Sequence, residues 1–525
     1  MRCESKLEGP RALGLALLAA FVVRFYLFLY TPVIARDGTY YIDQAQLMAQ
    51  GAWRQAVGWE LEPLFPFSIF LVHTLLPDWE LAGKVASLTF GVLAIVPFFL
   101  ISRDMFGPRI AFGAGILFAL HPYFARNSVE ALTDSTYLFF ALLSLWLALK
   151  ALKHHGILWH LLCAMAILLS SLARGEGIWL FLALWLFFGL LAMPHLRRRE
   201  WAGTVSLVRF SLAFLAVMIP VSVYSTQIGY FSALSAPKGL GGLAYLLRQV
   251  PEVLQVGLAR LGSVEGVGQA VASLWKGFLY KFFQIFHPLL FFLTLFALFQ
   301  KSWRCRYRDH FLLTSGIAIV YLFGPFLLWF TLNHSGHRYL MLPVAVALPW
   351  AAVTIGLAAD RLEGSVLAER WRARIRKWSV VSDQWSGIAH DWRTILLAAV
   401  VLILAAKTVQ PQRLDKLPIK EAGAWIAEQG LKEPVILAAD GRVAFYAKGR
   451  KLQIEYALDN IVALEQVEIA QRLIDQATSQ NIKFVFLKGR LDREVQAIVL
   501  ASAAVKEIRE WQSPHGNAYT LIQLK

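Results

Sequence analysis

Ala12-Leu-Gly-Leu-Ala-Leu-Leu-Ala-Ala-Phe-Val-Val-Arg24-Phe-Tyr-Leu-Phe-Leu-Tyr30 runs into Ala35-Arg-Asp37-Gly-Thr-Tyr-Tyr41. The first stretch is apolar over about 20 residues, the length needed to cross a hydrocarbon core about 30 Å thick. Met1-Arg-Cys-Glu-Ser-Lys precedes it, and Arg24 lies in its far part. A run this long, and this polar at its end, reads as a true span and not as a cleavable signal peptide. Similar runs recur near 12–32, 81–102, 109–124, 132–151, 157–173, 176–193, 205–224, 274–299, 311–331, 339–359 and 394–409. That makes about eleven spans in a mainly α, polytopic helical membrane protein. Over the 525 residues, 57% are hydrophobic and 16% charged, with a mean hydropathy of +0.53, which excludes a disordered chain and a single soluble domain. The 36 Phe, 18 Trp and 16 Tyr suit lipid-facing helices with interfacial anchors, and alternating barrel strands do not fit.

A net charge of +16 invites a nucleic-acid reading, but its distribution is topological. With the N-terminus in the cytoplasm, alternate loops facing that side carry about 21 basic residues in about 80 positions, against about 8 in about 120 on the other side. This orientation predicts an inner (cytoplasmic) membrane protein whose C-terminal domain is extracytoplasmic, with no nucleic-acid partner. Cys3, Cys163 and Cys305 have no spacing that suggests a disulfide framework or a zinc site.

The organisation expected is a transmembrane domain over 1–409, with outer loops 33–80 and 225–273, followed by a small α/β domain over 410–525. In that domain charges return. Strand-like runs at 434–439, 483–487 and 518–524 alternate with helical stretches at 418–429, 460–479 and 491–510. Leu367 to Trp378 reads as an interfacial helix on the basic side. No internal repeat appears.

Several polar residues carry chemical interest. Asp37 stands before a helical stretch that stops at Gly51; it reads as an N-cap, as a carboxylate that takes a proton from an acceptor hydroxyl, or as both. Glu130 and Asp134 are four apart and would share a helix face, with Arg126 four before Glu130. They suit a metal, a polar acceptor or a solvated helix start. Asn333-His-Ser-Gly-His-Arg-Tyr339 offers Arg338 for bidentate anion binding, or an Arg-Tyr membrane anchor. His334 and His337 lack a third ligand at useful spacing. Arg24, Arg174, Lys276 and Lys281 lie in the halves of spans nearest one side, where a charge lines a polar cavity or snorkels. Glu60 and Glu62 shape the first loop or stay solvated, and Asp440-Gly441 reads as a turn. No phosphate-binding Gly-Lys-Ser/Thr loop or dinucleotide fingerprint is present.

Arg24 with Asp37-Gly-Thr-Tyr-Tyr41, Pro63-Leu-Phe-Pro66, Glu130 to Asp134, and His337-Arg-Tyr339 leading to Pro343 together resemble the GT-C membrane glycosyltransferases. The likeness is to the protein O-mannosyltransferase and aminoarabinose-transferase branch (GT39/GT83-like) and covers roughly 12–360 by layout. It implies transfer of a hexosyl or pentosyl group from a polyprenyl-phosphate donor to an acceptor hydroxyl at the outer membrane face, with inversion. The acceptor would be a protein, lipid or glycan, and membrane lipid surrounds the enzyme. The resemblance makes Asp37 the base candidate; Gly38 follows it where a second acid is usual, so Glu130 or Asp134 would supply that carboxylate. Arg338 best matches the cation on the lipid phosphate, with Lys276, Lys281, Arg126 and Arg24 as further candidates. Tyr40, Tyr41, His337 and Tyr339 are the expected substrate contacts. No cofactor is required, and a role for a divalent cation stays open. The rival reading is a multispan transporter or flippase of a lipid-linked sugar, for which no inverted repeat is visible; a further alternative is a non-catalytic assembly protein.

Overall fold

A computed structural model of the chain describes residues 9–57, 61–154, 156–197, 202–227, 279–332, 337–363, 392–453 and 463–525, with isolated positions between. Most of the 225–273 loop, the helix expected at Leu367 to Trp378, and Glu60, Lys276 and His334 lie outside the described residues. The chain divides into two compact units, Met1–Tyr26 with Gln44–Gln410, and Leu27–Asp43 with Pro411–Lys525.

The first unit is a helical membrane bundle. Among the described residues six helices are long and apolar enough to span: Pro10–Tyr30, Trp79–Phe106, Asp134–His154, Gly175–Met193, Thr204–Val221 and Arg338–Glu363. A seventh is the pair Tyr280–Phe286 and Pro288–Phe299, bent by 90°. Two runs read as spans fold as the shorter apolar helices Pro108–Ala119 and Ile157–Ala173. The first stops because His121 precedes Pro122, which opens a separate helix, Pro122–Asn127.

Small side chains let these helices approach closely. Ala16, Ala20, Ala94 and Ala114 are fully or almost fully buried, and a Cβ on Gly115 would lie 3.2 Å from that of Ala16. Met341–Glu363 is the innermost segment: every residue from Met341 to Ile355 is buried.

The second unit is built on a five-stranded sheet ordered β2-β1-β3-β5-β4. Its strands are β1 (Val435–Ala438), β2 (Arg450–Gln453), β3 (Phe484–Lys488), β4 (Val505–Gln512) and β5 (Ala518–Leu524). The first three are parallel, and β5 runs antiparallel to both β3 and β4. Alternation with period two fills both faces. Ile436, Ala438, Phe484, Phe486 and Leu521 pack with Ile419 and Ile426. Leu437, Val485, Leu487, Ile522 and Leu524 pack with Leu473, Ile474, Val495 and Val499. The helix expected over 491–510 ends at Ala501, because Val505-Lys-Glu-Ile-Arg-Glu-Trp-Gln512 alternates and pairs with β5.

Candidate functional site

The membrane unit gathers buried charge where two helices break. Ile157–Ala173 ends at Arg174 in extended backbone (φ −154°, ψ 133°), and a 3-10 turn, Gly175–Ile178, leads into Trp179–Arg197. The turn folds hard against the helix before it. A Cβ at Gly177 would sit 2.4 Å from the backbone of Ser170 and Ser171, so only glycine fits. The Gly175 amide donates to Glu62 Oε1 (2.8 Å), and the Tyr321 hydroxyl donates to the Glu176 carbonyl (3.0 Å).

So held, Arg174 presents its guanidinium to two acids. Nε and one terminal nitrogen reach the Glu176 carboxylate (2.7 and 3.2 Å), and the other reaches Asp134 Oδ1 (2.9 Å). The cation also stands 5.8 Å from the ring centres of Tyr137 and of Tyr339. Asp134 is completely buried. Its Oδ2 accepts no hydrogen bond among the described residues and lies 3.7 Å from Arg338 Nε. Arg338 keeps 30% of its side chain exposed. A carboxylate that has lost water is tolerable only with such pairing. The arrangement therefore offers a locked acid, a lone oxygen able to accept from a hydroxyl, and a partly exposed arginine suited to an anion.

Glu130 does not join this group through a helix face. The turn at Ala131 (φ 55°) separates it from the helix that begins at Asp134, so the four-residue spacing is not helical. Buried Glu130 interacts instead with the charge of Arg126. Arg126 donates to the backbone carbonyls of Lys407 and Gln410. Arg24, fully buried, donates to the Ala119 carbonyl (2.9 Å) and lies with His287 and Lys407 within electrostatic reach of His121. Half-buried Lys281 sits on Tyr280–Phe286, which packs against the His337–Leu340 turn that carries Arg338. The His337 side chain lies outside the described residues, and Tyr339 is at the Arg174 cation. Sequence reasoning missed the Arg174–Glu176 pair and the Glu62 anchor. Arg174-Gly-Glu-Gly177 within an apolar run was the available signal, since paired charge there is retained only for a reason.

Asp37, Tyr40 and Tyr41 belong to the second unit. Asp37 is the second residue of Arg36–Ala49, not its cap; in the first turn its charge favours the helix through the macrodipole. It is half-buried, and Tyr41 is buried. The segment is fastened at several points. Lys420 Nζ donates to the Pro32 carbonyl (3.0 Å), the Ile34 amide to the Tyr446 hydroxyl (3.3 Å), and Lys451 Nζ to the Tyr40 hydroxyl (2.9 Å). Arg442 donates to the Ile34 carbonyl (3.3 Å). Arg442 is itself gripped by Asp440 through Nε (3.0 Å) and a terminal nitrogen (2.7 Å), so Asp440 does more than shape a turn. Burial acts to raise Asp440, but hydrogen bonds and charge from Arg442 outweigh it and hold the carboxyl below its ordinary range. Burial pushes Asp43 up to about 6 against the opposing charge of Lys451.

Among the described residues no three His, Cys, Asp or Glu side chains gather to hold a metal ion. Asp134 and Glu176 are instead matched with guanidinium.

A family model described as dolichyl-phosphate-mannose-protein mannosyltransferase matches residues 62–224. Among solved structures, the Archaeoglobus fulgidus oligosaccharyltransferase complexed with zinc and sulfate is 14% identical, with a TM-score of 0.56 over 97% of this chain and 72% of that one. The archaeal oligosaccharyltransferase AglB from the same organism, with an inhibitory peptide and a dolichol-phosphate, is 13% identical, with a TM-score of 0.53 over 91% and 69%. ArnT from Cupriavidus metallidurans bound to undecaprenyl phosphate is 15% identical, with a TM-score of 0.50 over 97% of each chain. No curated protein matches.

Proposed function

From the GT-C membrane glycosyltransferase fold of this chain, we propose that it transfers a sugar from a polyprenyl-phosphate donor to an acceptor hydroxyl at the extracytoplasmic face, inverting the anomeric carbon. The observation that carries this is the Asp134–Arg174–Glu176 network with Arg338 at its edge, in a membrane bundle. A lipid phosphate on the anomeric carbon is already a leaving group. The protein must then hold the sugar, take the acceptor proton and stabilise charge growing on phosphate. Arg338 is assigned to the phosphate, where its planar fork suits two oxygens. Asp134 Oδ2 is assigned to a sugar or acceptor hydroxyl, and Asp37 to the acceptor proton.

The match of 62–224 to a dolichyl-phosphate-mannose-dependent family, and the dolichol-phosphate and undecaprenyl phosphate in the similar structures, support the donor class. The reaction as proposed consumes no nucleotide and routes no step through a metal.

The test is Arg338→Ala in reconstituted membranes with a polyprenyl-phosphate sugar. Losing a charge-assisted contact worth about 1.5–3 kcal/mol should raise the donor KM about tenfold or more and leave the acceptor KM nearly unchanged. An unchanged donor KM removes Arg338 from the phosphate.

A further inference from the structure

A second polar site lies at the other end of the membrane bundle. Asp134–His154 begins at the buried acid; about 24–29 Å along, at about 1.5 Å per residue, its last turns carry Lys150 and Lys153. Both line a cavity of about 480 Å³ together with Arg306, Arg308 and His310. Two acids share the lining, Asp104 and Asp309. Asp104 is already engaged, accepting from Lys150 (2.8 Å), Arg103 (3.1 Å) and the Trp146 indole (3.3 Å). The remaining wall is mostly apolar, with Met105, Leu149, Leu152, Phe187 and Tyr307.

His310 gives this cavity chemical direction. It is 1% exposed, wedged between Phe106 (4.3 Å between ring centres) and Trp350 (5.6 Å). Its Nδ1 pairs with Thr314 Oγ1 at 3.1 Å, and the Trp350 indole donates to that same oxygen at 3.3 Å. The oxygen accepts from Trp350, which leaves its own proton available for His310 Nδ1. In the neutral tautomer whose Nδ1 accepts from Thr314, the N–H is on Nε2. Nε2 has no hydrogen-bond partner among the described residues. A buried donor without an acceptor costs free energy that a bound anion oxygen would return.

We propose that this cavity binds a phosphate-ester headgroup, and that its source is an anionic phospholipid. Lys153, Arg306 and Arg308 meet the phosphate charge, His310 Nε2 donates to an oxygen, and the apolar wall receives the first methylenes of the acyl chains. A basic recess between membrane helices with an apolar floor has the chemistry of a lipid headgroup site. Simple topological placement of lysine and arginine explains cations at helix ends, but neither the cavity nor the open buried nitrogen.

The full chain is purified in a neutral detergent and titrated with phosphatidylglycerol, phosphatidylcholine or inorganic phosphate, with binding read by native mass spectrometry and melting temperature. Phosphatidylglycerol should bind at one per chain and raise the melting temperature, with phosphatidylcholine and inorganic phosphate doing neither. The double variant Arg306→Gln with Arg308→Gln should weaken phosphatidylglycerol about tenfold or more. His310→Phe keeps an aromatic ring between Phe106 and Trp350 and should weaken it several-fold. Lys153→Gln, at an exposed position, gives the same direction if the other variants fail to fold. Equal binding of phosphatidylcholine overturns the site, as does undiminished phosphatidylglycerol binding by the folded variants. Inorganic phosphate binding as tightly as the lipid overturns the lipid source. None of these readouts requires sugar transfer.

Discussion

Asp37 and Asp43 are six residues apart on Arg36–Ala49 and do different work. With Asp37 as base, Asp37→Asn keeps the shape and the helix and removes the proton acceptor. General-base contributions are typically about 10²–10⁴-fold, so kcat should fall at least about 100-fold with donor KM little changed. Wild-type transfer by the variant would dismiss Asp37 from that role. Asp43 makes a prediction about stability. Its folded pKa, about 6, lies above the ordinary carboxyl value of 3.8. The folded state thus favours the protonated form. Its contribution is fully present below pH 3.8 and is lost as pH rises through 6. Melting temperature should therefore decline between pH 4 and 7 with a component that Asp43→Asn removes; an identical pH profile in the variant would contradict the assignment. Asp37 stood out as a candidate because an acid after a first span carries a family resemblance. Asp43 did not, because the charge that faces it, Lys451, stands more than 400 positions away in the chain.

At the scale of elements, the segment before Arg36–Ala49 owes its path to the sheet unit that encloses it. Val33, Ile34 and Ala35 are buried there, and the amide and carbonyl of Ile34 are taken up by Tyr446 and Arg442. Arg442→Ala leaves Asp440 largely buried without its partner, a loss of about 3–5 kcal/mol for a buried pair. Amide exchange across 33–38 should then accelerate more than exchange in β3 or β5. Uniform acceleration would mean general unfolding, and no change would deny the fastening. A charged pair next to a glycine, Asp440-Gly441-Arg442, reads locally as a turn, and nothing in its neighbours points to Ile34. The Arg174–Glu176 turn shows the same difficulty: the two glycines were visible, but that Gly177 must touch the backbone of Ser170 appears only when the helices pack.

For the molecule as a whole, the asymmetry of lysine and arginine makes a prediction about topology. A reporter fused after Lys525 should lie on the side of the membrane opposite one inserted in the basic segment 301–308, and the C-terminal reporter should be extracytoplasmic. A C-terminal reporter in the cytoplasm would reverse the orientation and move the proposed transfer to the other face. The same helices would then carry the network at Asp134 and the basic cavity at Lys150 to exchanged sides, since both are tied to opposite ends of Asp134–His154.

By itself the sequence determined the membrane class, most of the spans, and the α/β character of the C-terminal region. Hydrophobic runs and period-two alternation are local properties, and burial from water or transfer into lipid acts on them residue by residue. It also singled out Asp134 and Arg338, since ionisable groups beside apolar runs are costly enough to stand out. Only the tertiary structure decided their partners. It separated Glu130 from Asp134 by a left-handed turn, and joined Asp134 to Arg174 forty residues on and to Arg338 two hundred beyond. It also drew 27–43 into the same unit as 411–525. A buried charge takes whichever opposite charge the packed helices bring within about 4 Å, and that distance is a property of the packing that no stretch of chain contains.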